Sequence, residues 1–193
     1  MSELISLIHA VDYNFLYFFN SIISNSFFDL IFPVITNSKN WIFPTLFFYT
    51  FLIIKFKKRG LIAFLLTLLC VIITDAISAQ LLKPYFMRIR PSHEVYENIN
   101  LLIGKGGKYS FPSNHAANSM ALAFTTSFFF KNSFKYLFIL SIIIGFSRIY
   151  VGVHYPFDII FGFIFGYLIS MLILDLYSKI KIYFINPLIK TNF

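Results

Sequence analysis

Leu61-Ile-Ala-Phe-Leu-Leu-Thr-Leu-Leu-Cys-Val-Ile-Ile-Thr-Asp-Ala-Ile-Ser-Ala-Gln-Leu-Leu82 runs for 22 residues with one charged side chain, Asp75. About 20 apolar residues are enough for a helix to cross the hydrocarbon core of a bilayer, so this stretch reads as a membrane span. Similar stretches flank it on both sides: Tyr13 to Ile35, Trp41 to Phe56, Pro112 to Phe130, Phe134 to Tyr150 and Pro156 to Tyr177. The first is weakened by Asn14, Asn20, Asn25 and Asp29, so part of it is expected to lie along the interface. Polar loops separate the spans at Asn37 to Asn40, Lys57 to Gly60, Lys83 to Phe111 and Lys131 to Ser133. The expectation is an all-α, polytopic bundle of about six transmembrane helices, forming one membrane-embedded domain over residues 1–193.

Composition agrees. Only 12% of the 193 residues are charged and 58% are apolar, too few charges to build a water-facing shell. The 21% of aromatic residues excludes disorder. The lone Cys70, inside the apolar run, cannot form an intrachain disulfide and reads as a small buried hydrophobe. The start MSELISLIHAVDYNF has no Lys or Arg ahead of its apolar stretch, unlike a cleaved signal peptide. A nucleic-acid role is excluded because no basic soluble domain exists to carry it.

Cation placement orients the chain. Lys55, Lys57, Lys58, Arg59, Lys131, Lys135, Lys179, Lys181 and Lys190 fall in one set of alternate loops, against Lys39, Lys83, Arg88, Arg90, Lys105, Lys108 and Arg148 in the other. The bias is nine to seven, and nine to four once Lys83, Arg90 and Arg148 are assigned to a site. Both termini are therefore expected in the cytoplasm and the Lys83 to Phe111 loop outside. The net charge of +8 then reads mostly as a collar meeting anionic lipid headgroups.

Three segments of the outer face carry chemistry: KPYFMRIRP (83–91), FPSNH (111–115) and SRIYVGVHYPFD (147–158). Polar groups that cluster at helix ends near lipid are costly and point to function. Lys83, Arg90 and Arg148 suit an oxyanion with several oxygens, since arginine offers bidentate donors and lysine a point charge. Pro112 and Ser113, opening a helix, would aim free backbone amides at the same anion. His154 with Asp158 four residues on reads as a base or nucleophile oriented by a carboxylate, leaving His115 as a proton donor.

The three blocks resemble the signatures of the type 2 phosphatidic acid phosphatase family, K-x6-RP, PSGH and SR-x5-H-x3-D, in order and spacing. Asn114 stands where the pattern has glycine, and asparagine also tolerates left-handed backbone angles. The resemblance implies a lipid phosphatase that works without cofactor or metal through a phosphohistidine. It makes His154 the nucleophile, Asp158 its orienting carboxylate and His115 the general acid that later activates water. Lys83, Arg90, Arg148, Ser113 and the backbone near Asn114 would hold the phosphoryl oxygens, with Ser147 in support. The compact form is similar to bacterial lipid A 1-phosphatases and undecaprenyl diphosphate phosphatases of the cytoplasmic membrane. Lipid A 1-phosphate, undecaprenyl diphosphate, phosphatidylglycerol phosphate and phosphatidic acid are the expected substrate types, met from the bilayer on the outer face.

Some residues fall outside the blocks. Arg88 and Ser92 read as solvated or headgroup contacts, and His9 and His93 as bland. Asp75 reads as bonded internally to neighbouring helices, with coupling to the phosphate site a lesser reading. Lys105 and Lys108 are either solvated or contacts for further headgroup anions. Two other functions compete with the hydrolase: a phosphotransferase passing phosphate from a lipid diphosphate to an acceptor such as lipid A, and a non-catalytic lipid binder. A binder has no need of both His115 and His154. The sequence leaves the oligomeric state open.

Overall fold

The computed structural model describes residues 2–94 and 98–185, so Lys190, assigned above to the cytoplasmic collar, lies outside the described residues. The chain is helical, with no strand among the described residues; an isolated antiparallel bridge joins Ile89 to Tyr109. In order, the helices are α1 (Ser2–Tyr17), α2 (Ser26–Thr36), α3 (Ile42–Phe56), α4 (Lys58–Ile77), α5 (Lys83–Phe86), α6 (Asn114–Phe129), α7 (Phe134–Tyr150) and α8 (Pro156–Ile185). A π-helical turn, Ser78–Leu82, joins α4 to α5, so Lys58–Phe86 is one helical run of 29 residues.

Helix α6 is the centre, packed against α4, α7 and α8. Its buried face is built of small residues, among them Ala116, Ala117, Ala121, Ala123, Thr125 and Ser127, which let neighbouring backbones come close. Gly162 and Gly166 of α8 complete that approach: a methyl at Gly162 would sit 2.7 Å from the Ser113 carbonyl oxygen, and a methyl on Gly166 would overlap the Ala117 carbonyl. Large apolar side chains on the outer helices point away from the bundle, with Phe43 81% and Phe47 77% exposed, as a lipid-facing surface requires.

Among the described residues, three helical runs are long and apolar enough to cross by themselves, Lys58–Phe86, Lys131–Tyr150 and Pro156–Tyr183, and a bent pair brings the number to four if it is one span, which does not confirm the expected six. The central α6 is too short and too rich in small polar residues to register as one, because it faces protein instead of lipid. Helix α3, with 15 residues, is short as expected. The expected first span, Tyr13 to Ile35, is broken: the helical runs on either side of Ile23 to Asn25 meet at 118°. The Asn25 side chain accepts from the Phe28 backbone amide and starts α2 afresh. The buried Asn20 donates to the carbonyls of Tyr150 and Asn100, both at 2.7 Å.

Asp12 likewise meets Phe157 at the start of α8. Asp12 and Asn20 thus tie α1 and the turn after it to the start of α8 and the end of α7, which carry the third block. A second correction concerns Lys57 to Gly60, expected as a loop: α4 already begins at Lys58, and the turn is Lys57 alone, with φ 48°. Gly60 allows it, since a methyl there would overlap the Leu52 carbonyl of α3.

Candidate active site

The start of α8 builds the centre of the site. Gly152 turns the chain after α7 with φ +80°, where a methyl would meet the Asn100 carbonyl oxygen at 2.8 Å. Pro156 opens the helix, and Asp158, in its first turn, reaches back to accept from the Tyr155 backbone amide at 2.9 Å. The same Oδ2 lies 3.3 Å from Nδ1 of His154, leaving Nε2 as the free ring nitrogen. Both side chains are sealed off, His154 1% and Asp158 0% exposed. Burial first, then the positive charges of Arg90, Arg148 and Lys83, hold the His154 pKa well below 6.5, so its ring is neutral.

Helix α6 enters beside it. The Ser113 amide donates to the Asp158 carbonyl at 3.0 Å, which ties the second block to the third. The His115 ring bonds the main chain of Thr36 at the end of α2. Thr36 also accepts Arg148 Nη1 on its hydroxyl at 2.7 Å. A cavity of about 320 Å³ opens there, with Thr36, Asn37, Ser38, His115 and Arg148 in its wall.

The outer loop supplies the other cations. Lys83 Nζ donates to the Pro112 carbonyl at 2.8 Å, and Arg90 Nε to the Tyr109 carbonyl at 3.0 Å. Gly106 makes room for Arg90, since a methyl there would stand 2.5 Å from Nη1. Among the described residues, none of Lys83, Arg90 and Arg148 pairs with a carboxylate. Ser113 Oγ and Arg148 Nε are buried without a hydrogen-bond partner, an expensive condition that an incoming anion relieves. The arrangement can receive an oxyanion and present it to a neutral imidazole. No cluster of three or more His, Cys, Asp or Glu suited to a metal occurs among the described residues.

The site differs from the sequence reading at several positions. Arg88, read as a solvated contact, bridges Asp158 Oδ1 at 2.9 Å and Asp12 Oδ2 at 2.5 Å, because the Ile89–Tyr109 bridge folds the loop inward over the bundle. Ser92 is buried and donates to the Lys105 carbonyl instead of meeting solvent. Ser147 is buried and donates to the Ile144 carbonyl of its own helix. Asn114 turns toward α4, accepting from Ser78 at 2.8 Å and donating to Asp75 at 2.6 Å, with Asn118 also on Asp75. Asp75 is thus bonded to a neighbouring helix, as expected. Asp12 and Thr36 escaped sequence reading because no motif contains them; the only available signal was a carboxylate within an apolar amino-terminal stretch.

Comparison with known proteins fits this geometry. The chain is 35% identical over 155 residues to a lipid A 4'-phosphatase of Porphyromonas gingivalis, covering 77% of this chain and 66% of that one. It is 29% identical over 167 residues to a lipid A 4'-phosphatase of Bacteroides thetaiotaomicron, covering 82% of this chain and 73% of the relative. Its fold matches that of a phosphatidylglycerolphosphate phosphatase from Bacillus subtilis with a TM-score of 0.66 at 21% identity, over 92% of this chain and 89% of that one. The match to the family pattern spans residues 63–182, which contain all three blocks, and the chain accordingly belongs to the PAP2 superfamily.

Proposed function

We propose that the protein is a metal-independent membrane phosphatase that hydrolyses a lipid A phosphate through a phosphohistidine, in one domain over residues 1–193. The observation that carries this reading is the buried His154–Asp158 pair set among three cations that have no carboxylate of their own. Asp158 holds Nδ1, and Nε2 attacks phosphorus while the phosphorus–oxygen bond to the lipid breaks. His115 gives its proton to the departing oxygen, then takes one from the water that cleaves the phosphorus–nitrogen bond. Lys83, Arg90, Arg148, Ser113 and the amides at the start of α6 hold the three phosphoryl oxygens as charge shifts between them.

Lipid A is the chosen substrate because two relatives carry that specificity in their names. The outer loop adds exposed Lys105 and Lys108 for a headgroup with more than one anion. We place the protein in a bacterial cytoplasmic membrane with the site on the periplasmic face. The cations from Lys55 to Arg59, Lys131, Lys135, Lys179 and Lys181, at the end away from the site, support that orientation.

The test is phosphate release in detergent with EDTA from lipid A, undecaprenyl diphosphate, phosphatidylglycerol phosphate and phosphatidic acid. Lipid A is expected to be preferred, and His154→Ala to lose at least about 10³-fold in kcat. Full activity in His154→Ala removes the nucleophile assignment. Equal rates on all four lipids remove the substrate assignment. Labelled phosphate moving from undecaprenyl diphosphate to lipid A, instead of to water, replaces hydrolase with phosphotransferase.

A further inference from the structure

We propose that Asp12 and Arg88 are positioning residues of the reaction, acting through Asp158 to fix the His154 imidazole, so that α1 is part of the working site. The inference rests on the phosphatase reading above. Asp12 lies in α1, outside the matched residues 63–182, and Arg88 occupies one of the unspecified positions of the first block.

The contacts form one chain. Asp12 is completely buried, and such a carboxylate must be fully bonded to be tolerated. It is: Oδ2 takes Arg88 Nη2 at 2.5 Å, and Oδ1 takes the Phe157 backbone amide at 2.9 Å. Phe157 is in the first turn of α8, whose amides have no partner within the helix, so Asp12 caps in trans the helix that carries Asp158. The other nitrogen of Arg88, Nη1, holds Asp158 Oδ1 at 2.9 Å. The remaining oxygen, Oδ2, is thereby left for His154 Nδ1 and the Tyr155 amide. The Arg88 guanidinium also lies over the Tyr155 ring at 4.1 Å, which fixes its plane between the two carboxylates.

Charge explains why two carboxylates are needed. Arg88 paired with Asp158 alone would close its planar fork on both oxygens and compete with His154 for Oδ2. Asp12 draws one side of the fork away. It also adds a negative charge where Arg88 would otherwise bring a fourth cation to the three already around His154. The four cations and two carboxylates leave a net charge of +2, matched to a phosphate monoester dianion.

The test is steady-state kinetics of the full chain in detergent with the best lipid phosphate of the panel above. Asp12→Asn keeps an Oδ1 acceptor for the Phe157 amide and loses the charge together with the Oδ2 acceptor of Arg88 Nη2, where an amide donor stands instead. It is expected to lower kcat about tenfold with KM changed less than about twofold. Arg88→Gln is expected to lower kcat by a similar factor or more. The double variant Asp12→Asn with Arg88→Gln should be no slower than Arg88→Gln alone, because the competition for Oδ2 disappears with the guanidinium. Arg88→Lys, which keeps the charge but cannot bridge both carboxylates, should also lose about tenfold, and decides the matter if Asp12→Asn does not fold. Unchanged kcat in the folded single variants, strictly multiplicative losses in the double, or a rise in KM alone overturns the inference while leaving the phosphatase reading intact. An inactive wild-type chain removes that reading instead.

Discussion

The two ends of the bundle are both rich in cations, yet they use them in opposite ways. At the site end, Lys83, Arg90 and Arg148 are drawn inward and anchored on Pro112, Tyr109 and Thr36, with no carboxylate partner. At the other end, Arg59 lies over the Phe130 ring at 4.9 Å, Lys55 lies near Phe51 and Phe56, and Lys179 pairs with Asp175 in an ion pair whose members are 71% and 55% exposed. That end also holds the larger hollow, a groove of about 1190 Å³ with Lys58, Arg59 and Lys181 in its wall, against about 320 Å³ beside His115. Neither the number of cations nor the size of a hollow marks the chemistry. What distinguishes the site is burial without charge compensation, next to an imidazole held neutral.

The largest effect that tests this contrast comes from Arg148→Lys. The guanidinium is 6% exposed, with one nitrogen on Thr36 and Nε unpartnered, and a single ammonium cannot both reach Thr36 and face an anion. A loss of about 10²-fold in kcat is expected from phosphate-release kinetics, the scale of removing one preorganised donor. A loss below threefold would mean that Arg148 is an anchor like those of the opposite end.

A smaller effect concerns stability. The folded site holds His154 neutral, with its pKa far below the 6.5 of the unfolded chain. Below about pH 6.5 the unfolded chain therefore binds a proton that the folded site refuses, and its contribution to stability is lost as pH falls. Thermal unfolding in detergent between pH 7 and pH 6 should show a larger fall in Tm for the native chain than for His154→Asn, which lacks the imidazole. Equal falls in the two would show that the imidazole is not held neutral in the folded chain.

The smallest effect is expected at the opposite end. Lys58→Ala and Lys181→Ala should leave kcat within about twofold, since exposed cations interact weakly through screening water. A tenfold loss in either would erase the distinction between the two ends.

Much of this was legible beforehand. The blocks at 83–91, 112–115 and 147–158 carry their own spacing, and an Asp in the first turn of a helix opened by Pro156 can reach back to a His just ahead of it, so the His154–Asp158 contact was readable from local spacing. The apolar runs gave the membrane class and most helix positions. The misreadings occur where a residue is used by a distant element. Arg88 looked solvated because its two partners lie 76 and 70 positions away in sequence. The Tyr13 to Ile35 run looked like a span because hydropathy does not register that Asn20 and Asp12 bond across the end of the bundle.

By itself the sequence determined the solvent, the helical class and which charged and titratable groups make up the candidate site, since these depend on composition and on spacing within one turn or one loop. Tertiary structure alone decided which cations keep their charge uncompensated and which is neutralised. Arg88 and Arg90 are two residues apart and chemically identical, but the folded loop sets one between two buried carboxylates and leaves the other facing a carbonyl. The strength of a charge near the low-dielectric interior depends on what is packed against it, and only the fold determines that packing.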